Sequence, residues 1–442
     1  MRRIVTLVLL FAGGALVALL PAPAEPPEPL AGLVIDPPGI GSPADSSIWY
    51  CPWGQAGTER DSYFSVASIE EATASLTFPV AIPGEPPDLA SLAVLPYGAA
   101  GLNLSEIATR GDSAGFIEMD GGPSAASVTV FGDVVMGDAC ITNGGDEWFF
   151  AGGSTMDDDT LTLRLFNPFP EVAKVSIGAF SEIGVEALGG LRSVSVNPRS
   201  WRDVSFQEVF RQRQSLVVSV RTESGLIVPV MAYGSGTDEA FWNGTGLSPT
   251  WELPVVQTEG VAAALVVANP GLSPVEVTID LFGESEAFPE EFDLTVPAQS
   301  PLRVDLSQLP AQALGARVTA SGPVSVAVTA VGTGGTAVTT GSSTGSRAWL
   351  LPGVRTMAGV EGALWLLNTS DEPLSVTVGT LTSGEVRNSR HVVDPGRLLR
   401  LETTRTALGY LVSAPEPLMV GWTMSGDQGV AFGIGSPVEL DG

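Results

Sequence analysis

Thr250 to Gly271 reads TWELPVVQTEGVAAALVVANPG. It opens on a tryptophan, crosses a short connector, continues as an apolar run and closes on Asn269-Pro270. Taken alone, the run from Val261 to Ala268 fits a buried strand or a buried helix. Related stretches elsewhere decide between them. They begin at Ile48 (IWYCPWGQAGTERDSYFSVASIE), Glu147 (EWFFAGGSTMDDDTLTLRLFNPF) and Ala348 (AWLLPGVRTMAGVEGALWLLNTS). Trp49, Trp148, Trp251 and Trp349 recur at intervals of 99, 103 and 98 residues. Asn167, Asn269 and Asn368 follow at 102 and 99, with Ser68 in the same place of the first stretch. Pro96, Pro198, Pro297 and Pro395 keep intervals of 102, 99 and 98. Three landmarks on one period point to four copies of one unit.

Just beyond Asn269-Pro270 the chain reads PVEVTIDL, with Val275, Val277, Ile279 and Leu281 alternating with Glu276, Thr278 and Asp280. A period of two puts one face on a core and the other in water, which is a strand. The same columns return as Ala74, Leu76 and Phe78, as Ala173, Val175 and Ile177, and as Leu374, Val376 and Val378. Further alternating runs, such as ARVTASGPVSVAVTAVG from Ala316, bring each unit to about six or seven short strands. The reading is an all-β chain of four tandem immunoglobulin-like β-sandwich modules, 47–142, 143–246, 247–345 and 346–442. A β-propeller ranks second, because its blades repeat at roughly 40–50 residues. The sandwiches are expected in series, giving reach and surface.

The N-terminus carries an address. Arg2 and Arg3 precede an uncharged run from Ile4 to Leu20, and Ala22-Pro23-Ala24 fits a signal-peptidase site. Residues 1–24 therefore read as a signal peptide or membrane anchor, and 25–46 as a Pro-rich stalk. Cys51 and Cys140 are the two cysteines, and in an exported chain such a pair reads as a disulfide. The formal net charge is −28, from 49 acidic and 21 basic residues. That surface repels phosphate backbones, so nucleic acid is not an expected partner. All but one of the basic residues are arginine, the bias of a GC-rich, bacterial genome.

No catalytic constellation stands out. His391 is the lone histidine, which excludes a multi-histidine metal centre. GSSTG at 341–345, followed by Asp371 and His391, imitates a hydrolase triad. It lacks the strand-turn-helix setting that a nucleophile elbow needs. It lies instead in a Gly/Ser/Thr-rich stretch read as the connection between the third and fourth modules. Asp157, Asp158 and Asp159 are a weak calcium candidate, since neighbours in an extended chain point to opposite sides. Nothing in the spacing of the acids selects a hydrolase pair. No cofactor is expected. Trp53, Trp201, Trp242 and Trp422 are the candidate aromatic platforms for sugar.

The Trp-x-x-Pro starts at Trp251 and Trp349, the strands ending at Asn167 and Asn269, and VPAQSPLRVDLSQL from Val296 resemble an uncharacterised actinobacterial family of exported proteins. The resemblance implies a cell-envelope location and no established activity. The expected function is a non-catalytic envelope scaffold or adhesin that binds a protein or glycan. A carbohydrate-binding array is the alternative, and a carboxylate-based hydrolase the remote one.

Overall fold

The computed structural model describes residues 48–80, 85–108, 111–142, 144–257, 261–284, 291–309, 313–332 and 335–440. The N-terminal segment (1–24) and the Pro-rich stalk (25–46) lie outside these residues. The described chain is strand and turn throughout, with three short 3-10 turns. Among the described residues no helix is long and apolar enough to cross a membrane.

The first quarter shows the building plan. Its strands are β1 (Ile48–Gln55), β2 (Arg60–Ser68), β3 (Ala72–Phe78), β4 (Asp88–Val94), β5 (Gly98–Asn103), β6 (Asp112–Asp120), β7 (Ser124–Gly132) and β8 (Val135–Ala139). They form two antiparallel sheets, ordered β1-β6-β3-β4 and β5-β2-β7-β8. In β3 buried residues alternate with solvated ones, as expected of a sheet wet on one side. In β2 and β7 nearly every side chain is buried, because both faces are covered. Phe64 of β2 meets Phe78 of β3 edge to face at 4.8 Å across the two sheets. The sheets thus face one another in a sandwich-like arrangement.

The same pairing returns along the chain. Thr160–Asn167 pairs with Ser200–Ser205 and Val228–Ser235, which pairs in turn with Asp238–Asn243. Val261–Asn269 pairs with Ser300–Asp305 and Leu314–Gly332, which pairs with Gly335–Thr340. Val360–Asn368, Arg397–Glu402, Gly409–Gly426 and Gly429–Ile434 repeat the scheme. The alternating runs in the last two quarters, read from the sequence as short strands, are longer. They are single strands of 19 and 18 residues that pass from one sheet to the other, whereas β6 and β7 are separate.

The landmarks are structural fasteners. All four period-setting tryptophans are buried. Trp251 Nε1 donates to the carbonyls of Ser248 and Val324, and Trp349 Nε1 to those of Ser346 and Leu418. The buried side chain of Asn269 accepts from the Gly271 amide and donates to the carbonyls of Ser273, Val296 and Pro297. Asn167 and Asn368 make the corresponding bonds. The proline landmark is a tight turn whose following residue is left-handed: Tyr97, Arg199, Gln299 and Gly396, with φ of 51°, 51°, 50° and 60°. Each donates its amide across to the Asn or Ser turn, at Ile69, Phe169, Gly271 and Ser370. Pro297 stands one position early in this register, and Ala298 fills the place before the left-handed residue.

Two expectations need correction. The quarters do not run in series. β8, Asp238–Asn243, Gly335–Thr340 and Gly429–Ile434 pack successively against one another, and the last returns to β8. The chain closes into a ring, and the described residues form one compact unit. Each of these four axial strands was missed or underread in the sequence. In particular, Gly335–Thr340 lies inside the stretch expected to be a connection. The hydrophobic clusters cross the quarters accordingly: Val135 packs with the third and fourth, and Val338 and Ile434 pack with the second. Four sheets that each turn an edge strand to a common axis resemble propeller packing. The order β5-β2-β7-β8, however, is not a simple meander.

Candidate functional site

A cleft of about 650 Å³ lies between the second and third quarters. One wall is the turn after Val261–Asn269, running Pro270-Gly271-Leu272-Ser273-Pro274. Asn269 sets that turn through the bonds given above, and a Cβ on Gly271 would come within 3.0 Å of Asn269 Oδ1. The opposite wall is the sheet of Ala173–Ser181 and Leu216–Ser224. Gly178 lines it without a side chain, because Ser219 Oγ occupies the space a Cβ would take.

The walls are held together from below. Ala151, Phe180 and Val217 of the second quarter pack on Val266, Ala268 and Ala327 of the third. Thr329 Oγ1 donates to the Gly152 carbonyl, and the hydroxyls of Thr245 and Ser325 lie 3.3 Å apart. At the mouth, Leu272 is 84% exposed and Val185 65% exposed. Arg221 pairs with Glu147 at 2.7 Å, both in contact with water. This chemistry is suited to contact: two solvent-facing aliphatic side chains, three prolines, backbone polar groups and one ion pair.

The residues singled out from the sequence fall elsewhere. Cys51 and Cys140 form a disulfide with a Cα–Cα distance of 4.7 Å. Trp53, Trp242 and Trp422 are buried, so their rings offer no face to a ligand from solvent. Trp53 stacks on Phe241 at 5.9 Å, and Trp242 meets Phe150 edge to face. Trp422 packs tightly on Gly433. Trp201 is half-buried. The Arg164 guanidinium lies 4.3 Å from the Trp53 ring centroid and 5.5 Å from that of Trp201. Arg164, 1% exposed, grips Asp203 through two bonds of 2.8 Å and donates to the Ser113 carbonyl of the first quarter. The sequence reading passed over this junction. Its signal is an arginine inside the otherwise apolar alternation of LTLRLFN.

The triple aspartate lines a smaller cavity of about 410 Å³. Asp157 is left-handed at φ 45°, and Asp159 accepts from Ser154 Oγ and Tyr233 OH. Burial, reinforced by Asp159, pushes the Tyr233 phenol up to about 12. Among the described residues no three His, Cys, Asp or Glu side chains are grouped to hold a metal ion. His391 shares a hydrogen bond with Ser389 on its own strand.

Fold and cleft together define an all-β protein with sandwich-like sheets and a surface cleft between two of its quarters. The chain belongs to the Family of unknown function (DUF5719), whose model matches residues 124–393, more than half its length. No curated protein matches. Among solved structures, the chain is similar to Thermotoga maritima 1070, at 16% identity over 22% of this chain and 93% of that one, with a TM-score of 0.19. It is also similar to a Streptomyces avermitilis alpha-L-rhamnosidase complexed with L-rhamnose (8% identity, 84% and 54% covered, TM-score 0.12). A third likeness is a tetra-tandem repeat in the extending region of a large adhesion protein (12%, 85% and 93%, TM-score 0.11). At such scores none of them transfers a fold or a function.

Proposed function

We propose that this is a non-catalytic, exported cell-envelope protein of an actinobacterium. In this reading it is built of four tandem modules, is tethered or released at residues 1–24, and holds a partner protein in the cleft between the second and third quarters. One observation carries the reading: a cleft whose mouth keeps Leu272 and Val185 in water at a cost in solvation, which contact with a partner would relieve. The disulfide fits an oxidising compartment. The apolar rim favours a protein segment over a sugar.

A photo-crosslinking side chain placed at Leu272 in the native envelope tests this. The expected result is one dominant protein adduct, lost in the Val185→Glu variant. Leu272→Glu should leave stability unchanged, since the side chain is already solvated. A chain found in the cytoplasm with reduced cysteines would overturn the location. Adducts indifferent to Val185→Glu would overturn the cleft.

A further inference from the structure

The fourth quarter carries a basic strip on an acidic protein. Residues 386–405 hold Arg387, Arg390, Arg397, Arg400 and Arg405 against Asp394 and Glu402, a net of +3 within a chain of −28. The strip begins with the strand Val386–Val393, which ends its sheet and is hydrogen-bonded on one side only, to Leu374–Leu381. Its eight residues pair without a bulge, and six of them are exposed through Arg390 and again at Val392.

Alternation sorts the strand. Val393 is buried in the core, so Val386, Asn388, Arg390 and Val392 share the outer face. Val392 is 61% exposed. Arg390 makes no ion pair among the described residues, and Arg387 reaches only the equally exposed Glu385, at 3.6 Å. The edge thus combines unpaired backbone donors and acceptors, two solvated valines and two solvent-exposed cations.

We propose that this edge is an acceptor site for an extended acidic segment of a partner protein, which adds to the sheet as a further strand. Strand addition supplies main-chain hydrogen bonds, and alternate side chains supply selectivity. Charge selects the occupant. Antiparallel pairing with a second copy gathers the arginines of both strands at one edge, and a register centred on Arg387 or Arg390 sets like charges directly opposed, which destabilises a pair. A segment with carboxylates at alternate positions turns them all to one face; set on the face of Arg387 they meet that arginine directly, and its apolar residues lie along Val386 and Val392 on the other face, beside Arg390. The site is distinct from the cleft and stands or falls separately from it.

The test uses the full chain and labelled ten-residue peptides in fluorescence anisotropy. The probes are alternating Val/Glu, alternating Val/Lys, and the Val/Glu peptide with two central prolines. The Val/Glu peptide should bind and slow amide exchange across 386–393. Because the arginines are exposed, Arg387→Glu with Arg390→Glu should fold normally and weaken binding about tenfold or more. Affinity should fall as salt rises. The Val/Lys and proline peptides should not bind. Absence of Val/Glu binding, equal binding of Val/Lys, or indifference to the charge reversal would overturn the proposal. Equal binding of the proline peptide would reduce the site to a charged patch and overturn strand addition. Self-association abolished by Arg390→Glu would give the edge to a second copy instead.

Discussion

Replacing Asn269 by alanine removes the fastener between the apolar strand and the turn that walls the cleft. The side chain accepts at 2.9 Å from Gly271 and donates at 2.8, 3.1 and 3.1 Å to Ser273, Val296 and Pro297. Two amide hydrogens serve three carbonyls, so three effective bonds at about 1 kcal/mol each give a loss of about 3 kcal/mol. Ser68, in the corresponding place of the first quarter, accepts from Glu70 at 3.2 Å and donates to the Pro123 carbonyl at 3.3 Å. Ser68→Ala removes two bonds and should cost about 2 kcal/mol on the same scale. Asn269→Asp keeps the shape but turns an oxygen toward carbonyl oxygens. It should be at least as damaging as alanine at neutral pH and recover on acidification, as protonation returns a donor. Urea unfolding of the full chain, followed by tryptophan fluorescence, reads these effects as midpoint shifts at unchanged slope. The reasoning fails if Asn269→Ala lies within about 0.5 kcal/mol of the parent, or if Ser68→Ala costs as much as Asn269→Ala.

Three further outcomes follow from buried groups. Burial raises the Asp138 carboxyl from 3.8 to about 7, against hydrogen bonds from Asn243 and Ala139. The folded state then holds a proton the unfolded chain has released. This contribution, about 4 kcal/mol, is full below about pH 4 and lost as pH rises through about 7. Subtracting an Asp138→Asn titration from the parent's should expose that fall, and a flat difference would refute it. Reducing the Cys51–Cys140 bridge, which closes a loop of 89 residues, should destabilise by about 4–5 kcal/mol in the chain-entropy model, and native exported protein should show no free thiol by titration. Arg164→Ala removes a buried side chain held against Trp53 and Trp201, its bond to the Ser113 carbonyl of the first quarter and its pair with the solvent-exposed Asp203, so it should cost about 2–3 kcal/mol. Its thermal unfolding midpoint checks this, and a midpoint unchanged from the parent would sink it.

Class and local anatomy were legible because they rest on short-range chemistry. Period-two runs such as PVEVTIDL sort into wet and dry faces without tertiary information, and the tryptophan and asparagine landmarks sit where one strand ends and the next begins. The cysteines were legible because only one pairing is possible. The axial strands were not. Gly335–Thr340 (GTAVTT) and Val135–Ala139 (VMGDA) are short, lack alternation because they are covered on both sides, and follow glycine turns that resemble linkers. Trp53, Trp242 and Trp422 misled for a related reason. Trp53 lies under Phe241 of the second quarter, and a ring reads as a free face until such a neighbour from another quarter is packed on it. The cleft itself has no motif, since its walls come from separate chain segments, Gly178 to Val185 and Ser219 to Arg221 on one side and Asn269 to Val275 on the other.

Ring closure changes what the molecule can be used for. Sandwiches in series would separate two attachment points and yield under load one at a time. Here the first quarter is bound to the fourth as well as to the second: Ser127 Oγ donates to the Pro352 carbonyl, and the Ala99 amide to that of Thr382. Arg60 of β2 reaches Glu239 of the second quarter at 2.7 Å while holding Asp133 of its own hairpin. A perturbation at one junction is therefore felt at the axis, where strands from all four quarters share apolar neighbours. Such a body gains rigidity at the expense of reach. In the two proposals made above, recognition falls to what the ring leaves at its periphery, the cleft between the second and third quarters and the basic edge of the fourth. Both are held in place by sheets whose other faces are committed to the core.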